Sequence, residues 1–172
     1  RIILGIAGAP GAGKTSYAAA LVAEQPDSVP TVLVGMDAFH LAHSSLTSLG
    51  TVEAKGAPGT FDADGYAALL RRIRVGEPRT IWAPEFRREL EDAIGGAVAV
   101  EPGTRLVITE GNYLLLEDPR WVRVRPLLDE VWYVQVPEKL RIERLVARHM
   151  KYGRPAADAW ERVAHGTDAR NA

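Results

Sequence analysis

At 172 residues, 47% of them hydrophobic, the chain is long enough to bury a sizeable core; its net charge of −1 leaves no basic footprint for nucleic acid or an anionic membrane. No apolar run can span a bilayer, no basic-then-apolar leader precedes the first strand, and the lack of cysteine removes disulfides and thiolate chemistry. These features predict one α/β domain over residues 1–172 that fits the cytoplasm.

The chain opens on an apolar run, Ile2 to Ala7, that leads into Gly8-Ala9-Pro10-Gly11-Ala12-Gly13-Lys14-Thr15. This stretch satisfies G-x-x-x-x-G-K-[ST], and the Ala-rich run Ser16 to Glu24 behind it favours a helix. A buried strand, a turn of small residues and a helix start together make a phosphate cradle of backbone N–H groups. The predicted nucleotide site is therefore Gly8 through Ser16. Lys14 can reach the β- and γ-phosphates, and the Thr15 hydroxyl can join Mg²⁺. A glycine-rich turn with a solvated lysine is the plain alternative.

The first helix is predicted to end near Gln25, between Pro26 and Pro30. Thr31 to Val34 reads as a buried parallel strand that delivers Asp37 just past its carboxyl end, on the rim where open α/β sheets bind ligands. A helix cap or turn residue is the other reading of Asp37. Leu41 to Thr60 shows no sustained period. Asp62 is placed to cap a helix whose apolar face is Tyr66, Leu69, Leu70 and Ile73, with Arg71, Arg72 and Arg74 solvated.

Thr80-Ile81-Trp82 and Ala97 to Val100 read as two short strands of a small antiparallel flap over residues 79–100, with Pro84 to Arg88 between them. Arg105 to Thr109 is the next buried strand. It delivers Glu110, a second acid opposite the phosphate loop, as a Mg²⁺–nucleotide site requires; a loop glutamate is the alternative. Trp121 to Leu128 suggests a short helix, and Glu130 to Val136 a further strand, with Asp129-Glu130 structural. Pro137 suits the first position of a helix with the apolar stripe Ile142, Leu145, Val146 and Met150. Arg141, Arg144, Arg148 and Lys151 form a basic stripe, in which Arg141 reads as solvated and paired with Glu138. Arg148 and Arg154 flank a glycine break, so residues 148–155 are predicted to form a lid. Pro155 opens a last helix. The pattern is a P-loop three-layer fold: a mostly parallel sheet with helices on both faces.

These pieces resemble the uridine kinase, pantothenate kinase and phosphoribulokinase superfamily of P-loop kinases, and within it the nucleoside or fructose-transport kinase-like branch. The resemblance rests on Gly8 to Ser16, Met36 to Leu41, Lys55 to Pro58, Thr60 to Asp62, Pro84 to Arg88, Glu110 to Leu116, Arg148-His149, and Asp168 with Asn171-Ala172. It implies Asp37 as the base for a substrate hydroxyl, Glu110 near Mg²⁺ or substrate, and Arg148 as a lid arginine. It further implies that His40, Arg88 and Tyr113 line the acceptor pocket. The branch often carries an acid where this chain has Arg87. The reading that follows is an ATP- and Mg²⁺-dependent kinase acting on a small-molecule phosphate acceptor such as a nucleoside, a sugar or a pantothenate-like compound. Nucleic acid and membrane are not expected as partners, and a homodimer stays open. The rival is a P-loop NTPase that switches a protein partner; no Asn-Lys-x-Asp segment is present to read guanine.

Overall fold

The structure, a computed structural model, describes residues 1–171; Ala172 of the Asn171-Ala172 pair lies outside them. Among these residues six strands and six α-helices follow in chain order. They are β1 (Ile2–Ala7), α1 (Lys14–Ala23), β2 (Thr31–Gly35), α2 (His43–Ser48), α3 (Ala63–Val75), β3 (Ile81–Arg87), β4 (Asp92–Val100), β5 (Leu106–Gly111), β6 (Glu130–Tyr133), α4 (Glu138–Lys151), α5 (Ala156–Ala164) and α6 (Thr167–Arg170).

Four strands pair in parallel in the order β2-β5-β1-β6. Side chains alternate across this sheet, so each strand feeds two cores. Ile3, Ala7, Val34 and Val107 face α3, where Tyr66, Leu69, Leu70 and Ile73 form the predicted stripe. Ile6 and Ile108 face the other way, onto Ala18 of α1 and its neighbours Leu21 and Val22. Each fully buried Leu or Ile contributes about 1.5–3 kcal/mol. Asp62 caps α3 by accepting from the Gly65 N–H at 2.8 Å.

Register brings the sequence signals to one rim. Ile6 and Gly35 both stand beside Glu110 on β5. The phosphate loop leaves β1 one residue past Ile6, and Asp37 sits two residues past Gly35, in a 3₁₀ turn over Met36–Phe39. Three segments far apart in sequence thus end side by side.

Several expectations are corrected. The antiparallel pair β3–β4 is longer than a flap: its base, with Ile81, Ala83 and Val100, is core. Pro84 lies at a register shift between Ala83 and Glu85, where a missing N–H costs no ladder bond. Trp121 to Leu128 makes only a 3₁₀ turn, Arg125–Leu127, around Pro126, with Trp121 itself fully buried. Leu41 to Thr60 holds α2, anchored by one buried residue, Leu46; a single anchor leaves no period to read. Pro137 and Pro155 precede their helices by one residue, at the cap. Arg141 is buried. Its guanidinium binds Glu138 as expected, and it also reaches the Pro10 carbonyl at 3.4 Å, so it pins α4 to the phosphate loop.

Candidate active site

A cleft of ≈ 1390 Å³ runs along the rim. One end is the phosphate loop. Gly11 (φ 82°) and Gly13 (φ 95°) occupy the left-handed region that side chains avoid, and a Cβ at Gly11 would lie 2.7 Å from Leu145 Cγ. The loop can therefore be both tightly turned and closely covered by α4. Pro10 through Ser16 line the cleft. Gly8 does not; a Cβ there would meet the Val134 carbonyl at 2.5 Å, so its smallness serves packing beside the sheet. Ala9 contributes its carbonyl to Lys14.

Lys14 is buried, and its ammonium donates to the Ala9 carbonyl at 3.0 Å and to Asn112 Oδ1 at 2.6 Å. Burial lowers its pKa, opposed by the nearby Glu110 and Asp37 carboxylates. Glu110, 5% exposed, accepts from the Thr15 hydroxyl at 3.0 Å. Burial and the neighbouring Asp37 push its carboxyl above the usual carboxylate range, while Lys14 and Thr15 pull it back. Thr15 and Glu110 present two hard oxygen donors side by side next to a cation. That set suits Mg²⁺, which takes few protein ligands and fills its shell with water and phosphate oxygens. Among the described residues no cluster of three His, Asp or Glu exists to form an all-protein cage.

Beyond the loop the same cleft is lined by Asp37, His40, Phe86 and Arg88. Arg88 meets the Asp37 carboxylate at 3.1 Å through one nitrogen. His40 donates from Nδ1 to the Asp37 carbonyl at 2.7 Å, and its ring lies 3.9 Å from Phe61 and 5.1 Å from Phe86. Burial lowers its pKa, so the imidazole is neutral at neutral pH. Arg148, in the last turn of α4, faces the cleft; burial and the like charge of Arg88 hold its pKa below the usual guanidinium value.

Tyr113 is a correction. It is 4% exposed, lies edge-on to Phe61, and donates its hydroxyl to the Gly56 carbonyl. It braces the loop around Gly56 and leaves the cleft to Asn112, one residue earlier. Arg154 is exposed and outside the cleft. Asn112, Lys55, Phe86 and Asp168 line the cleft without having been assigned there from sequence. All four lie inside the stretches that carry the resemblance; Asn112 and Phe86 stand two residues from Glu110 and Arg88, while Lys55 and Asp168 have no such neighbour in sequence. Asp168 is held by His149 at 2.6 Å, which ties α6 to the end of α4.

A nucleotide loop closed by a lysine, facing a carboxylate-bearing rim across one cleft, defines the class: an ATP-binding P-loop kinase. Comparison with known proteins places the chain within that class. It is 34% identical over 160 residues to a Schizosaccharomyces pombe protein provisionally designated a uridine kinase, matching 89% of this chain and 68% of that one. It is 34% identical over 145 residues to the ATP-dependent kinase-like protein notR' of Aspergillus versicolor, matching 80% of this chain and 84% of that one. The crystal structure of a protein from Silicibacter sp. TM1040, provisionally assigned as a fructose transport system kinase, superposes with a TM-score of 0.86 at 34% identity, over 99% of this chain and 82% of that one. No family model matches. The chain belongs to the P-loop kinases of the uridine kinase and pantothenate kinase superfamily. No helix among the described residues is long and apolar enough to cross a membrane.

Proposed function

We propose that the protein transfers the γ-phosphoryl group of ATP to a hydroxyl of a small metabolite, with Asp37 as the base. The observation that carries this reading is that Lys14 and Asp37 share one chamber of ≈ 1390 Å³ with His40 and Phe86. A switch that only hydrolyses nucleotide needs no such chamber.

Phosphoryl transfer asks the protein mainly to align two reactants and offset growing charge. The N–H groups of the loop and the start of α1 would hold the β- and γ-phosphates, with the Lys14 ammonium exchanging Asn112 Oδ1 for phosphate oxygen. Thr15 and Glu110 would hold Mg²⁺, which supplies charge neutralisation on the phosphates. The acceptor oxygen forms its bond to the γ-phosphorus as the bond to the bridging oxygen breaks, the hydroxyl proton passes to Asp37, and ADP leaves. Arg148 would face the charge that develops on the transferring group. Neutral His40 adds no charge; its ring, fixed by the Asp37 carbonyl and Phe61, shapes the floor.

The test is a panel of hydroxylated metabolites with ATP and Mg²⁺, measuring ADP release and the phosphorylated product. Stimulation of ADP release by at least one acceptor, with stoichiometric product, is expected. A protein that hydrolyses ATP slowly, ignores every acceptor and responds only to a protein partner is instead a switch.

A further inference from the structure

Charge at the far end of the cleft does not balance. Lys55, Arg88 and Arg148 all face it. Lys55 rests on the Glu91 carbonyl at 2.7 Å and stands 3.8 Å from the Glu91 carboxylate, whose side chain is 60% exposed and screened by water. Arg88 commits one nitrogen to Asp37 and keeps the rest of its fork free of carboxylate. Arg148 has no carboxylate within 4 Å among the described residues. The remaining acid, Asp168, is engaged by His149 at 2.6 Å and approached by Arg162 at 3.9 Å.

The cations also converge on one object. Lys55 and Arg88 stand 5.8 and 5.6 Å from the centre of the Phe86 ring. The ring's other neighbour in the floor is His40, which carries no charge. Each cation gains from the ring face, but the two charges repel one another, and an anion seated between them would offset that repulsion. ATP accounts for the loop and Lys14. It does not account for Lys55, which is tied to the turn between β3 and β4 and to nothing in the loop.

We infer that the acceptor is itself an anion, carrying a carboxylate or a phosphate monoester that seats between Lys55 and Arg88 while its hydroxyl faces Asp37. The inference rests on the kinase reading above and narrows it to charged hydroxylated acceptors. It also gives the Arg88–Asp37 pair a purpose. An acceptor anion takes Asp37's place on Arg88, so the carboxylate is released to the hydroxyl only when the right molecule has arrived.

The test uses matched pairs with ATP and Mg²⁺: glycerate against glycerol, pantothenate against pantothenyl alcohol, and ribose 5-phosphate against ribose. In at least one pair the charged member should exceed its neutral partner about 100-fold or more in kcat/KM, as expected for the loss of two charge-assisted contacts. Which pair responds separates carboxylate from phosphate. Lys55→Met should raise KM for that acceptor about 10-fold with little change in kcat. A neutral member turned over as well as its charged partner overturns the inference and leaves the kinase reading intact. If no member is phosphorylated, binding decides. Protein saturated with Mg²⁺ and a non-hydrolysable ATP analogue is titrated calorimetrically with acetate and with inorganic phosphate. One anion should bind, and Lys55→Met and Arg88→Gln should each weaken it about 10-fold. Binding of neither, or binding that both variants leave unchanged, overturns the anion site. Binding that behaves as expected upholds that site even though the kinase reading has failed.

Discussion

At the loop end of the cleft, six consecutive residues, Pro10 to Thr15, do nearly everything: backbone N–H groups, one lysine and one hydroxyl within a short run of chain. At the far end, Asp37, Lys55, Phe86, Arg88 and Arg148 arrive from β2, the loop before α3, the tip of the β3–β4 hairpin and the end of α4. The first end is local and made largely of main chain, so it suits any nucleotide triphosphate. The second is assembled by the fold from side chains, so it can differ between proteins that share the loop. The difference predicts that changes at the two ends fail in different ways.

The largest contrast is between Asp37→Asn and Lys14→Ala. Asp37→Asn keeps the shape of the far end and removes the proton acceptor, so acceptor phosphorylation should fall about 10²–10⁴-fold, mostly in kcat, with ATP affinity nearly unchanged. Lys14→Ala should instead weaken ATP binding and depress acceptor phosphorylation and background hydrolysis together. Steady-state kinetics beside nucleotide titration reads both. Equal behaviour of the two variants would dissolve the distinction between the ends.

Glu110→Gln sharpens the comparison through stability. Burial and Asp37 raise the folded-state pKa of Glu110. The folded protein therefore holds this proton where the unfolded chain has lost it. Stability from this group is full below the unfolded carboxylate pKa and declines as pH rises toward the raised folded value. Glutamine keeps the acceptor oxygen for Thr15 without the charge. The variant should match the parent in acid and exceed it in unfolding midpoint at neutral pH. Urea unfolding at both pH values measures it, and a less stable variant at neutral pH would contradict the assigned direction.

The smallest effect is expected for Tyr113→Phe. The Gly56 carbonyl keeps a second donor, Asn171 Nδ2 at 3.0 Å, so stability should drop by only about 0.5–1 kcal/mol. Acceptor kcat and KM should stay within about twofold, since buried Tyr113 lies behind the wall. A KM rise of 10-fold without loss of stability would return Tyr113 to the cleft.

The loop end was legible because its signals are contiguous: apolar strand, small-residue turn, Ala-rich helix. Asp37 and Glu110 were legible too, since a short β-branched run followed by an acid places that acid on a rim once strands are parallel. What sequence did not resolve was the side on which neighbouring residues fall. Asn112 and Tyr113 follow the same strand, and only the way the chain leaves β5 sends one into the cleft and the other under it. Arg141 kept its helical phase, but what packs against that phase is the carbonyl of Pro10, 131 positions away. The β3–β4 hairpin runs past both expected strands, because the register shift at Pro84 lets pairing continue to Arg87 and Asp92.

The contact between Gly11 and Leu145, with Arg141 fastened to Pro10, carries a consequence for engineering. The loop and α4 behave as one machined part, with the nucleotide seat at one end and Arg148 at the other. A residue added to the loop to tune nucleotide affinity would tilt the helix and retime the arginine. At the tip of the β3–β4 hairpin Arg88 meets Asp37 and acts on the seat only through its charge, so an exchange there leaves the packing of loop and helix alone. Reprogramming this scaffold for a new substrate should therefore begin at the hairpin and leave the loop as it stands.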